Sequence, residues 1–317
     1  MGGPVRADRR ALERAETLLR AACGDRVRVG FPLAPLTTFR IGGPAALYLE
    51  PTSMEDLAAA SRAVRETGLP YVVLGKGSNV LVADEGFPGL VLRLGRGFRW
   101  AARDGDRIAA GAAMPLPALA GVAFQHGLGG LEFGVAIPAT LGGAVRMNAG
   151  AHGHELSEVV EGVEVFRMLT GAPEAVGPAA ADFGYRRSGL PDDAVVTAAR
   201  LRLRPRDRAE IRALMDEARA WRRRTQPLAE PNCGSVFKNP PGDHAARLLE
   251  AAGAKGMSVG GAAVSEKHAN FIVAAPGTRA ADVVALIRAL QDLVASRFDV
   301  ELEPEVHLVG DPDPPLR

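Results

Sequence analysis

The apolar positions of this chain change their spacing several times, and each change marks an element. Near the N-terminus, Leu12, Ala15, Leu18, Leu19 and Ala22 recur every three or four residues among charges, which predicts an amphipathic helix. From about residue 27, strand and helix patterns alternate. "AALYLEP" ends at Pro51, "SMEDLAAASRAVRETG" opens on Ser53 and Asp56 at capping-box-like spacing and closes at Gly68, and "YVVLG" and "GLVLRL" follow. These runs predict a small α/β unit. Between 96 and 205 the runs are short and β-type ("RIAAGA", "GVEVFR", "AVVTAARLRLRP"), with one helical insert, "LPALAGVAFQHG". Next, "DRAEIRALMDEARAWRRR" places Ile211, Leu214, Ala218 and Trp221 on one face, with acids early and Arg222 to Arg224 late, as a helix dipole favours. It predicts a helix at a domain junction. "HAARLLEAAG", "ANFIVAA", the long helix "AADVVALIRALQDLVASRF" and a strand-like "DVELEPEVHLV" complete the chain, the last with Glu301, Glu303 and Glu305 in alternation.

Composition narrows the classes. At 317 residues with 47% hydrophobic content, two or three packed units are expected. Lys plus Arg (38) balances Asp plus Glu (37), so neither a nucleic-acid nor a membrane partner is expected. Cys23 and Cys233 are too few for a disulfide framework, the histidines have no zinc-binding spacing, and the charged N-terminus lacks a signal-peptide core. A reducing cytoplasm is the expected location, and a monomer the expected state.

Two glycine loops bear on ligand binding. "VVLGKGSNVLV" follows a β-type run, and Gly75, Gly77, Ser78 and Asn79 could aim backbone N–H groups at an anion or simply form a tight turn. It is neither a dinucleotide fingerprint nor a P-loop. "GLGGLEFGVAIPATLGGAVRMNAGAHG" interleaves glycines with Leu131, Phe133, Val135, Ile137, Leu141 and Val145, so it is no flexible linker. Its glycines allow either close approach of backbone to a large ligand or tight packing. Together the loops point to a large phosphate-containing ligand. A third segment, "PNCGSVFKNP", gathers Cys233, Ser235 and Lys238 between prolines, and reads as a plain connector or as a site.

"TTFRIGGPA", "VLGKGSNVLV", "AIPATLGGAVRMNAGAHG", "FGYRRS", "CGSVFKNP", "GGAAVSEKHANFIV" and "LEPEV" occur in that order, and the series, over about residues 30–309, resembles the UDP-N-acetylenolpyruvoylglucosamine reductase (MurB) family. The resemblance implies an α+β fold: a two-lobed FAD-binding region of the vanillyl-alcohol-oxidase type (1–95 and 96–205), a C-terminal substrate domain (206–300), and a closing strand and tail (301–317) that carries a catalytic glutamate. It also implies non-covalent FAD, NADPH as co-substrate, and reduction of UDP-N-acetylglucosamine enolpyruvate to UDP-N-acetylmuramate in peptidoglycan synthesis. Matched residue by residue, the proton donor is Ser235, while Arg186 and Glu305 hold and stabilise the intermediate. FAD contacts fall on Gly75, Lys76, Gly77, Ser78 and Asn79, and on Ala136, Ile137, Pro138, Gly142, Gly143, Asn148, Gly150 and Gly153. Substrate contacts fall on Tyr185, Lys238 and Asn239. No metal is implied.

The chemistry suits these types. Hydride addition to the methylene carbon of the enol ether leaves negative charge on the carboxylate side, which calls for fixed donors there and one acid beside the adjacent carbon. Arg grips a carboxylate with two hydrogen bonds and stays charged. Glu305 fits beside an anion if it is protonated during the step or if it orients Arg186. His268 and Asn270 either order the site or are structural. Some relatives carry an extra loop whose tyrosine closes over the nucleotide; here "SGLPDDAVVTAARLRLRP" follows Arg187 directly, and Gln226 stands where some relatives place a lysine. Three rivals remain: a flavin oxidase of the same superfamily, a nucleotide-sugar-binding module, and a Ser or Cys hydrolase.

Overall fold

In the computed structural model, which describes residues 8–311, the first helix runs Arg9–Cys23 and buries Ala15, Leu19 and Cys23. Ala22, expected on that face, is exposed. The first seven residues and the Pro/Asp tail from 312 lie outside the described residues. A second helix, Met54–Thr67, packs beside the first, and both cover a four-stranded sheet in the order Arg28–Pro32, Pro44–Leu49, Phe87–Leu92, Tyr71–Val73. The helix is delimited by its caps: Ser53 Oγ accepts from the Asp56 amide, and Gly68 closes it in the left-handed conformation.

The Asp56 carboxylate does not complete a capping box. It turns back to accept from Arg26 Nη1, from Arg26 Nη2 at 2.7 Å, and from the Thr52 amide at 2.7 Å. Arg26 holds its pKa well below the ordinary carboxylate range, against the opposing effect of burial. A depressed carboxylate stabilises the fold above its unfolded-state pKa and loses that contribution as pH falls through the native value. Asp56→Asn is therefore expected to cost about 2 kcal/mol at neutral pH, the scale of hydrogen bonds to a buried charge. The difference from the parent, measured by urea unfolding, narrows below about pH 4. A pH-independent difference would refute this account of Asp56.

The second unit is a five-stranded antiparallel sheet in the order Ala172–Val176, Val160–Arg167, Ala194–Arg202, Arg107–Gly111, Ala101–Asp104. One core joins it to the helices Leu116–Gln125 and Leu141–Arg146. The junction helix, Arg208–Thr225, differs from the sequence expectation in two ways. Its buried stripe is Ile211, Met215 and Ala218, while Leu214 and Trp221 are exposed. That stripe lies in the core of the second unit, so the helix expected with 206–300 packs with 96–205 instead.

The third unit packs Ala245–Ala251 and the long helix Ala280–Phe298 against a small antiparallel sheet, Ser258–Val259, Ala262–Val264 and Ile272–Ala274. Phe39, Ile41 and Leu81 from the first unit enter its core. The expected long terminal strand is short: only His307–Val309 is extended, pairing in parallel with Val80–Val82 of the first unit. This pairing carries Glu305 back to the first glycine loop.

Candidate active site

Five segments come together here, one of them the turn that carries Arg186. The loop at 75–79 precedes the strand Val80–Val82, and Asn79 Nδ2 donates to the Glu305 carbonyl at 2.9 Å while the Asn79 carbonyl accepts from the His307 amide. The segment 303–307 runs beside 235–238: the Glu305 amide donates to Val236 O at 2.7 Å, the Lys238 amide to Glu303 O at 2.9 Å, and Phe237 bridges Pro304. The hairpin Gly150–Ala151/His154–Glu155 and the turn around Tyr185 supply the remaining wall.

Arg186 sits at φ +55°, a left-handed conformation that a non-glycine residue rarely keeps unless its surroundings impose it. Its Nε lies 3.1 Å from Glu305 Oε1, its Nη2 donates to Gly150 O at 3.2 Å, and its guanidinium stacks over the Tyr185 ring at 4.8 Å. Both side chains of the Arg186–Glu305 pair are largely buried. Burial pushes the Glu305 carboxyl above its ordinary range, with Arg186 and then Lys238 pulling it back. Both sequence alternatives for Glu305 are compatible with this arrangement: the carboxylate lies against Arg186 Nε, and burial raises its pKa.

Ser235 is half-buried in a turn that Gly234 makes at φ +82°, and a Cβ on Gly234 would come to 3.7 Å of Ser78 O. The connector of the sequence reading thus lies against the first glycine loop. Asn270, 3% exposed, holds the segment from behind: its carbonyl accepts from the Val236 amide, its Oδ1 from the Phe237 amide, and its Nδ2 donates to Phe237 O at 2.8 Å. His268 Nδ1 accepts from the Asn270 amide, and burial lowers the imidazole pKa. These two are structural supports of the loop. Cys233 is buried, which pushes its thiol above the ordinary range and disfavours the thiolate that a hydrolase nucleophile needs. Lys238 Nζ pairs with Glu303. Asn239 Oδ1 accepts from the Ala245 amide at the start of a helix, and its own amide donates to the Tyr185 hydroxyl at 3.3 Å.

The glycine loops fit a large phosphate-bearing ligand in part. At Gly77, φ +65°, a Cβ would meet Leu36 O at 2.3 Å, and at Gly75 it would meet Thr140 Oγ1 at 2.7 Å. The two glycine loops therefore touch. Among the described residues, the amides of Lys76, Gly77 and Ser78 donate to no protein acceptor, which leaves a run of free donors of the kind that takes an anion. Other glycines have structural reasons. The Gly142 amide donates to Ala112 O, and its Cα packs where a Cβ would meet Ala112 Cβ at 2.9 Å. His152 and Gly153, both at positive φ, form the two-residue turn of the hairpin. Asn148, 1% exposed, donates from Nδ2 to Glu155 Oε2 at 2.8 Å and to Gly184 O at 3.0 Å. Sequence reasoning missed Glu155, whose only signal was its place after the "HGH" turn.

Among the described residues, no group of three or more His, Cys, Asp or Glu is placed to hold a metal, and no helix is long and apolar enough to cross a membrane. An FAD binding domain matches residues 45–172, which reach across both sheets. The C-terminal domain of UDP-N-acetylenolpyruvoylglucosamine reductase matches residues 226–309, beginning after the junction helix. The chain is 48% identical over 312 residues to the UDP-N-acetylenolpyruvoylglucosamine reductase of Anaeromyxobacter sp. (strain Fw109-5), covering 98% of this chain and 96% of that one. It is 45% identical to the enzyme of that name from Myxococcus xanthus (strain DK1622), covering 91% and 94%. The crystal structure of the reductase from Thermus caldophilus superposes with a TM-score of 0.78 at 41% identity, over 89% of this chain and 99% of the other. Near-complete coverage in both directions means that the three units, and not one shared module, are held in common. The chain is a member of the UDP-N-acetylenolpyruvoylglucosamine reductase family.

Proposed function

We propose that this protein reduces UDP-N-acetylglucosamine enolpyruvate to UDP-N-acetylmuramate with NADPH, in the cytoplasm, as a step of peptidoglycan precursor synthesis. The observation that carries the reading is the largely buried Arg186–Glu305 pair, whose glutamate lies on a segment joined to the Ser235 loop by the hydrogen bond from the Glu305 amide to Val236 O. FAD, when bound, supplies the redox centre that accepts hydride from NADPH and delivers it to the enolpyruvyl methylene carbon. The free amides of 76–78, with Gly75 and Asn79, would hold its diphosphate, and the stretch from Ala136 to Gly150 would line its other side. The flavin oxidase and the non-catalytic nucleotide-sugar module are disfavoured, because neither has use for an acid beside a carboxylate-binding arginine.

The roles of the residues follow from charge. Arg186 grips the substrate carboxylate and takes up the negative charge that grows on it. Glu305 holds Arg186 through Nε and, with a pKa raised by burial, can neutralise itself as that charge arrives. Ser235 Oγ–H gives its proton to the carbon beside the carboxylate, and Lys238 and the backbone at Gly234 stabilise the alkoxide until solvent restores the proton. Tyr185, stacked beneath Arg186, Lys238 and Asn239 complete the substrate side.

Purified protein is expected to be yellow and to oxidise NADPH rapidly only when the enolpyruvyl nucleotide is present. Acid precipitation releases the flavin into the supernatant, since the chain offers loops and amides and no assigned attachment residue. Colourless protein, or NADPH oxidation indifferent to the nucleotide, sinks the proposal; colour left in the denatured pellet sinks the non-covalent assignment.

A further inference from the structure

We propose that Glu155 is a positioning residue for Arg186, setting the guanidinium edge that the substrate carboxylate takes over. The inference rests on the reading of Arg186 given above. Glu155 Oε1 lies 3.6 Å from Arg186 Nη1, on the opposite side of the guanidinium from Glu305. Its other oxygen is pinned by Asn148 Nδ2 at 2.8 Å, and the same Nδ2 reaches Gly184 O, two residues before Arg186. Asn148 Oδ1 accepts from the Ser157 amide at 2.9 Å, which fixes the amide's orientation. One buried side chain therefore ties the hairpin carrying Glu155 to the turn carrying Arg186.

The hairpin is built for this approach. Glu155 pairs directly with Gly150, whose carbonyl accepts from Arg186 Nη2. A Cβ at Gly150 would come to 2.5 Å of His154 O, 2.9 Å of Glu155 Cγ and 3.3 Å of Arg186 Nη1, so the hairpin backbone itself requires glycine there and both charged side chains pack against the same spot. Arg186 itself sits at positive φ, and strain of this kind in a residue with a long side chain persists where surroundings over-determine it. The two carboxylates serve Arg186 differently. Glu305 is within hydrogen-bond distance of Nε, whereas Glu155 at 3.6 Å attracts without a hydrogen bond, leaving the Nη1 donors open. Glu155 thus aims the guanidinium yet competes weakly with the anion that must bind there. Removing its charge loses aim without losing affinity.

The test is a double-mutant cycle with Glu155→Gln and Arg186→Ala, reading kcat and KM for the enolpyruvyl nucleotide, thermal midpoint, and the rate of flavin bleaching by NADPH. Glu155→Gln is expected to lower kcat roughly tenfold, as a small misplacement of a catalytic group does, with KM unchanged or lower and bleaching unaffected. Glu155→Asp, which keeps the charge one methylene farther away, recovers part of the loss. On the Arg186→Ala background, Glu155→Gln has no further effect. Glu155 also caps the turn Leu156–Glu158, and a purely capping role predicts a lowered midpoint with equal losses on both backgrounds, which overturns the inference. Parental kcat in Glu155→Gln overturns it as well. Normal turnover in Arg186→Ala removes the underlying reading and the inference with it, whereas an impaired Arg186→Ala with additive losses removes the inference alone.

Discussion

Ser235→Ala is expected to bleach with NADPH at close to the parental rate and then regain its colour very slowly when the enolpyruvyl nucleotide is added without oxygen. The two halves of the reaction make different demands on the protein. Hydride uptake from NADPH requires no proton beside a carboxylate; reduction of the double bond does, and alanine has none to give. Loss of a positioned acid costs about 10² to 10⁴ in rate. The backbone that carries Ser235 is held independently of its side chain, by Asn270 on Val236 and Phe237 and by Glu305 on Val236, so the substitution leaves the loop in place. Recovery of colour at the parental rate would show Ser235 to be an ordinary loop residue. Failure of the first bleaching, in folded and flavin-loaded protein, would move its role to an earlier step.

The elements were legible where their signals are local. Ser53 and Gly68 mark both ends of one helix, and the junction helix begins where Asp207 caps it. Its partner was not legible, since a stripe of Ile211, Met215 and Ala218 says that a face is buried and not against what. The pairing of His307–Val309 with Val80–Val82 leaves no local trace either, and parallel pairing over such a separation is fixed only by the assembled core. That missing contact explains the misreading of Glu301, Glu303 and Glu305 as a strand: the alternation is real, but only Glu305 is turned into a largely buried site. The glycines of the long second loop share a composition and not a setting: Gly142 packs on Ala112, Gly153 lies in the hairpin turn, and Gly150 lies against the hairpin backbone at His154 O. The family motifs were needed to single out Ser235, because a half-buried hydroxyl in a proline-bounded turn looks the same in sequence whether or not it reacts.

Arg186→Ala removes the cation around which the site is assembled, and its effect reaches binding and chemistry together. The lost charge-assisted donor is worth roughly 2 to 4 kcal/mol at the transition state, or about 10² to 10³ in turnover. KM for the enolpyruvyl nucleotide rises as well, because the carboxylate is gripped from the moment of binding. A second consequence follows from Glu305. Arg186 is the largest influence lowering the Glu305 pKa, so without it burial acts against Lys238 alone and the carboxyl rises further. A carboxyl raised in the folded state favours the protonated form; its contribution to stability is present below the unfolded carboxylate pKa and is lost as pH rises through the folded value. Relative to the parent, the variant therefore loses more stability at pH 8 than at pH 5, the same direction as at Asp56 but through a carboxyl raised further rather than a depressed one removed. Arg186→Lys separates charge from geometry: it keeps Glu305 partnered and restores the pH dependence of stability, but cannot grip a carboxylate with two parallel hydrogen bonds, so turnover stays low. Near-parental turnover in flavin-loaded Arg186→Ala would count against this assignment, and parental turnover in Arg186→Lys would reduce the requirement at this position to a single positive charge.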